Sequence, residues 1–152
     1  MITGLHNIML KNNIINRLVI VLPAFIAAST IIDYSLTMWL SGTTENLIRH
    51  ELSPLLILAV KNNLTIPYIL STAIFYFSCS YFALKALSSD EKLFYSSSAI
   101  IFLISLVHTL GGLSWHFKSE AYSNTLLALS AITIIMAIFL SGWSILHRRN
   151  PG

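Results

Sequence analysis

Charged side chains are scarce in this 152-residue sequence, at 10 %, and cysteine is limited to Cys79. A lone cysteine excludes an internal disulfide, and its place within an apolar run makes it read as a small apolar filler. The nine lysines and arginines are scattered, so a net charge of +3 brings no basic face and no nucleic-acid partner. No Gly-x-Ser-x-Gly, phosphate loop, dinucleotide fingerprint or Cys-x-x-Cys occurs, which removes the commonest signatures of hydrolases, nucleotide enzymes and redox proteins.

What the chain does have is apolar length. Hydrophobic residues make up 55 % of it, and mean hydropathy is +0.74. Four runs, Leu18–Leu40, Pro67–Leu87, Leu93–Phe117 and Tyr122–Leu146 (18–40, 67–87, 93–117 and 122–146), hold 23, 21, 25 and 25 residues. Each can cross roughly 30 Å of hydrocarbon at about 1.5 Å per residue. The expected fold is therefore all-α, a single integral membrane domain over residues 1–152 built as a four-transmembrane-helix bundle. The small residues Ala27-Ala28-Ser29 resemble a signal-peptidase site, but the apolar run continues to Leu40, so it is read as a retained span. With both termini cytoplasmic, the inner segments carry Lys11, Arg17, Lys85, Lys92, Arg148 and Arg149, and the outer ones Arg49, Lys61 and Lys118. That asymmetry follows the positive-inside rule and favours a multi-pass protein of the cytoplasmic membrane with both ends inside.

The connection from Ser41 to Ile66 should contain short helical elements. Thr43 or Thr44 can cap one running to Glu51, and Pro54 suits the first turn of another. The apolar patch Leu55–Val60 is too short to span, so an interfacial or re-entrant helix is expected between spans one and two. Leu5, Ile8, Met9 and Ile15 suggest a further interfacial helix at the N-terminus, weakened by Asn7, Asn12 and Asn13. Trp39, Trp115 and Trp143 lie near span ends and read as interface anchors.

Polar groups inside the spans carry the functional signal. Ser29, Asp33, Thr37 and Ser41 recur every four residues, in one slowly drifting stripe that must face the bundle interior. The third span runs the same way and offers Ser105, His108, Gly112, Trp115 and His116, with Gly111-Gly112 permitting close backbone approach or local loosening. Asp33 lies nine residues before Gly42, and His108 nine before Phe117. Equal depth predicts an Asp33–His108 contact. With His50, Glu51, Glu45, Lys118 and Glu120 nearby, most of the ionisable residues with catalytic potential gather in or above the outer half. Asp33, His108, His50 and Glu51 are the candidate catalytic groups.

A metal is not expected. His50-Glu51 opens like a metalloprotease helix but lacks the second histidine, and His108 and His116 stand about 12 Å apart along one helix. Only a set drawn from several segments, Asp33, His50 and Glu51 with His108 or His116, has the residue types. Small residues at four-residue spacing, Ala24 and Ala28 on the first span and Thr133, Ala137 and Ser141 on the last, permit close helix contact within the bundle or with another subunit. A transporter acting alone is not indicated, since no pair of broken helices occupies symmetric halves.

Asp33-x-x-x-Thr37, Gly42 and then Glu51-Leu52-Ser53-Pro54 and Lys61 resemble an uncharacterised family of small archaeal and bacterial integral membrane proteins. Its pattern is an Asp-x-x-x-Thr helix, a glycine, and Glu-x-Asn-Pro opening a further membrane segment. Here Ser53 replaces the asparagine and Glu51 comes later after the glycine, while Glu45-Asn46 has the nearer spacing but no proline. The resemblance spans residues 33–61 and implies a helical membrane fold and attention to Asp33, with no reaction attached. The leading expectation is a non-catalytic subunit or accessory factor, partnered by the bilayer and by other membrane subunits. The alternatives are an enzyme acting on lipid or isoprenoid material through Asp33 and His108, or a small ligand or ion binder. No cofactor is named by the sequence.

Overall fold

A computed structural model describes the backbone of residues 2–149 and the side chains of 13–144. It contains α1 (Ile2–Ser41), α2 (Thr44–His50), α3 (Pro54–Lys61), α4 (Thr65–Leu87), α5 (Glu91–Phe117) and α6 (Glu120–Arg149), with no strand among the described residues. Four helices, α1, α4, α5 and α6, are long and apolar enough to cross a membrane, which makes this an all-α membrane protein with a four-helix bundle. α4, α5 and α6 start two residues before the runs read from sequence, because polar residues complete their first turns: Asp90 caps α5 by accepting from Leu93 N–H at 3.1 Å.

α1 is continuous from Ile2, so no break separates an N-terminal interfacial helix from the first span. Leu5, Ile8 and Met9, like Arg148 and Arg149, lie outside the described side chains. Ile15, grouped with them by sequence, is buried instead. It joins Val19, Leu22 and Ile26 of α1, Leu84 of α4, and Phe94 and Ile101 of α5 in the apolar core of the end where both chain termini lie.

α5 is the central element, packing on α1, α4 and α6. Among the described residues α6 packs on α5 alone, and none of its Cα atoms comes within 8 Å of an α1 Cα. Its start is tied down by the Tyr122 hydroxyl, which donates to the Leu110 carbonyl at 2.9 Å. Several buried hydroxyls within spans bond to their own helix: Thr30 Oγ1 donates to Ile26 O, and Ser105 Oγ to Ile101 O, each at 2.9 Å. Such back-bonding lets a polar side chain sit in a membrane bundle without an interhelical partner.

The connection between α1 and α4 folds into two short helices. Thr43 caps α2 by accepting from Asn46 N–H, and Ser53 caps α3 by accepting from Leu56 N–H, with Pro54 in the first turn. Leu47 and the α3 residues Leu56 and Val60 bury themselves against Tyr34, Met38 and Tyr68, closing one end of the bundle between α1 and α4.

Candidate functional site

Parallel α1 and α5 bring Asp33 and His108 together. His108 Nδ1 and Asp33 Oδ2 are hydrogen-bonded at 2.8 Å, and each side chain is only 16 % exposed. With Nδ1 committed to the carboxylate, Nε2 is the ring atom left for a ligand. Tyr76 of α4 braces the imidazole edge-on, with ring centroids 5.1 Å apart.

The glycine pair explains why the helices approach so closely. A Cβ on Gly112 would stand 2.9 Å from Asp33 O and 3.0 Å from Leu36 Cβ, and one on Gly111 would stand 3.2 Å from Asp33 Oδ1. α5 stays helical through both residues, so their role is close approach rather than loosening.

Beside the pair lies a groove of about 650 Å³. α5 forms its floor through Val107, Gly111, Ser114 and Trp115. Asp33, Tyr34 and Thr37 of α1 form one wall, and Ser123, Leu126, Leu127 and Ser130 of α6 form the other. Asn46, His50, Glu51 and Leu52 border it from the connection, and Lys118, Ser119 and Glu120 from the α5–α6 turn. The gap exists because α6 leans on α5 without reaching α1. A second cavity of about 310 Å³, bordered by Tyr76, Ile104, Val107, His108, Ser130, Thr133 and Ile134, abuts the first through Val107 and Ser130. Asp33 faces one cavity and His108 the other, so the hydrogen-bonded pair stands between two chambers.

Glu51 lies at the groove's mouth, its Oε1 accepting from Ser53 N–H at 2.9 Å. Burial pushes its carboxyl above the ordinary 4.5, the Asp33 charge pushes the same way, and hydrogen bonds from Ser53, Leu52 and Trp115 oppose them. Three carboxylates, one lysine and two imidazoles thus border the two adjacent cavities.

The structure brings together Asp33, His108, His50, Glu51 and Gly112 around this region, and buries Ser29, Thr37, Ser41 and Ser105 along the same helix faces. His116 does not join them. Eight residues beyond His108 correspond to about 80° of further rotation on an ideal helix, and His116 emerges exposed against Phe117. Ala24 and Ala28 also face outward, so their small-residue spacing does not serve this bundle, and Ser141 is exposed while Thr133 is buried. Cys79 is exposed and fills no interior gap. Trp115, read as an interface anchor, also borders the groove.

Among the described residues no group of three His, Cys, Asp or Glu side chains is arranged to hold a metal ion, so the cross-segment set does not assemble. Sequence reasoning missed Tyr76 and the α6 wall. Ser123 and Ser130, seven apart with Leu126 and Leu127 between, were the available signal of a shared face. No protein-family model, curated protein or solved structure matches the chain.

Proposed function

We propose that this protein binds a lipid-soluble molecule within the membrane, with Asp33 and His108 as the acid–base group of its site. The observation that carries the reading is the 650 Å³ groove with Asp33 in its wall, lying between α1 and α6, whose described residues bring no Cα pair within 8 Å. A site of that volume, with Leu126 and Leu127 in its α6 wall and charged residues at its mouth, suits a small amphiphile. Asp33 fixes the tautomer of His108, which leaves Nε2 to accept a proton from, or return one to, a bound hydroxyl or carbonyl group. Turnover of a lipid or isoprenoid substrate is the catalytic form of the same reading. The resemblance over residues 33–61 belongs with it, since Glu51 and Leu52 of the Glu-Leu-Ser-Pro turn border the groove's mouth.

The test compares wild type with Ser130→Phe, which places a ring where the two cavities meet. Both are drawn from native membranes in mild detergent, and their bound small molecules are identified by mass spectrometry. A hydrophobic molecule near one per chain in wild type and depleted in the variant is expected. Equal content in both would overturn the reading.

A second reading, a non-catalytic subunit or accessory factor of a larger membrane complex, draws on α6, whose Ile132, Ile135, Ile138 and Phe139 are left uncovered by this chain. It predicts a native particle far heavier than 16.9 kDa that contains other polypeptides, and a lone monomer would count against it. We place both termini in the cytoplasm on the lysine and arginine asymmetry, which labelling of single cysteines at the two ends of the bundle tests.

A further inference from the structure

We infer that the molecule taken up by the groove is a single-chain amphiphile with a cationic amine or quaternary ammonium head. The inference rests on the proposed reading of the groove as a ligand site and adds the chemistry of the head and its orientation. Two features of the lining select a cation. Asp33, Glu51 and Glu120 face one lysine, Lys118, and the imidazole of His50, and Glu51 and Glu120 still outnumber Lys118 when Asp33 is counted against His108. A phosphate or carboxylate head would meet net repulsion there. Tyr34 and Trp115 border the same space, and aromatic faces beside carboxylates are the surroundings in which an alkylated ammonium ion is held.

The chain's direction follows from the second cavity. It abuts the first at Val107 and Ser130 and is bordered by Ile104 and Ile134, whereas every carboxylate other than Asp33 lies at the mouth, in the connection or at the start of α6. The head therefore sits beside Trp115 and Glu51, and the tail runs along Leu126 and Leu127 toward Ile134. His108 borders only the second cavity and Asp33 the first, so a polar substituent carried along the chain where the two cavities abut would fall within reach of the acid–base pair.

Trp115 supplies the readout. In a Trp39→Phe, Trp143→Phe background, reconstituted in neutral lipid nanodiscs, its emission is titrated with three dodecyl amphiphiles bearing a trimethylammonium, a hydroxyl or a carboxylate head. The ammonium compound is expected to reach half-saturation at roughly tenfold lower concentration than either of the others. Glu51→Gln should weaken it roughly fivefold and leave the alcohol unchanged, and Ser130→Phe should abolish the response to all three. Equal or tighter binding of the alcohol or the carboxylate overturns the cationic head while leaving the groove as a ligand site. No response to any compound, or responses that survive Ser130→Phe, overturns the groove reading and this inference together.

Discussion

The seam between α1 and α5 is built in two ways along its length. At the end where the chain termini lie, Ile15, Val19, Leu22 and Ile26 of α1 pack with Phe94 and Ile101 of α5 into an apolar core. At the end of the α2–α3 connection the same helices meet through glycine, a hydrogen-bonded Asp–His pair and an adjoining groove. In a membrane, apolar packing has no solvent to escape from, so helix association depends on shape and on polar contacts. The first half of the seam uses shape alone. The second half retains an ionisable pair that a packing role does not require, and the proposed ligand site rests on this difference.

The largest effect that separates the two halves should come from Gly112. Gly112→Leu has no room against the backbone of Asp33, so α1 and α5 must part and the folded bundle should be lost in a detergent thermal-stability assay. Gly142→Leu, whose Cβ meets nothing within 4 Å, should behave as wild type. If the two variants were equally stable, the close glycine contact would be disproved.

Next in size is His108→Ala. It leaves the Asp33 carboxylate without its partner in a largely buried position and should cost about 2 kcal/mol in a reversible unfolding assay. Ile101→Val, in the apolar half, should cost about 1 kcal/mol. The reverse order would mean that the pair contributes less than ordinary packing.

How legible these halves are in the sequence follows from the same division. The spans, and the equal depth of Asp33 and His108, could be read because hydrophobic run length and position along a helix are one-dimensional quantities. Rotation about a helix is less forgiving: His116 and His108 share a helix but differ by about 80°, enough to move His116 to the surface. Ala24 and Ala28 likewise have the spacing of a contact stripe but face outward. The ionisable end of the groove is legible, but its α6 wall is not, since it depends on α6 resting on α5 with no described Cα within 8 Å of α1. That is a relation among three helices, and the only trace in sequence is the shared face of Ser123, Leu126, Leu127 and Ser130.

The smallest expected effect concerns Glu51, whose carboxyl is raised chiefly by burial. The folded protein then holds the Glu51 proton more tightly than the unfolded chain, so stability falls as pH rises from about the unfolded value of 4.5 through the higher folded one. Glu51→Gln should therefore raise the melting temperature at pH 7 by a small margin and leave it unchanged below pH 4.5. A gain of the same size at both pH values would point to packing rather than to the charge.

A double-mutant cycle on Asp33→Asn and His108→Gln, read as unfolding free energy in lipid nanodiscs, tests the paired site most directly. The 2.8 Å contact predicts that the two substitutions are non-additive, with a coupling of about 1–2 kcal/mol. Effects that add to within about 0.3 kcal/mol would mean that the two side chains do not meet in the folded protein.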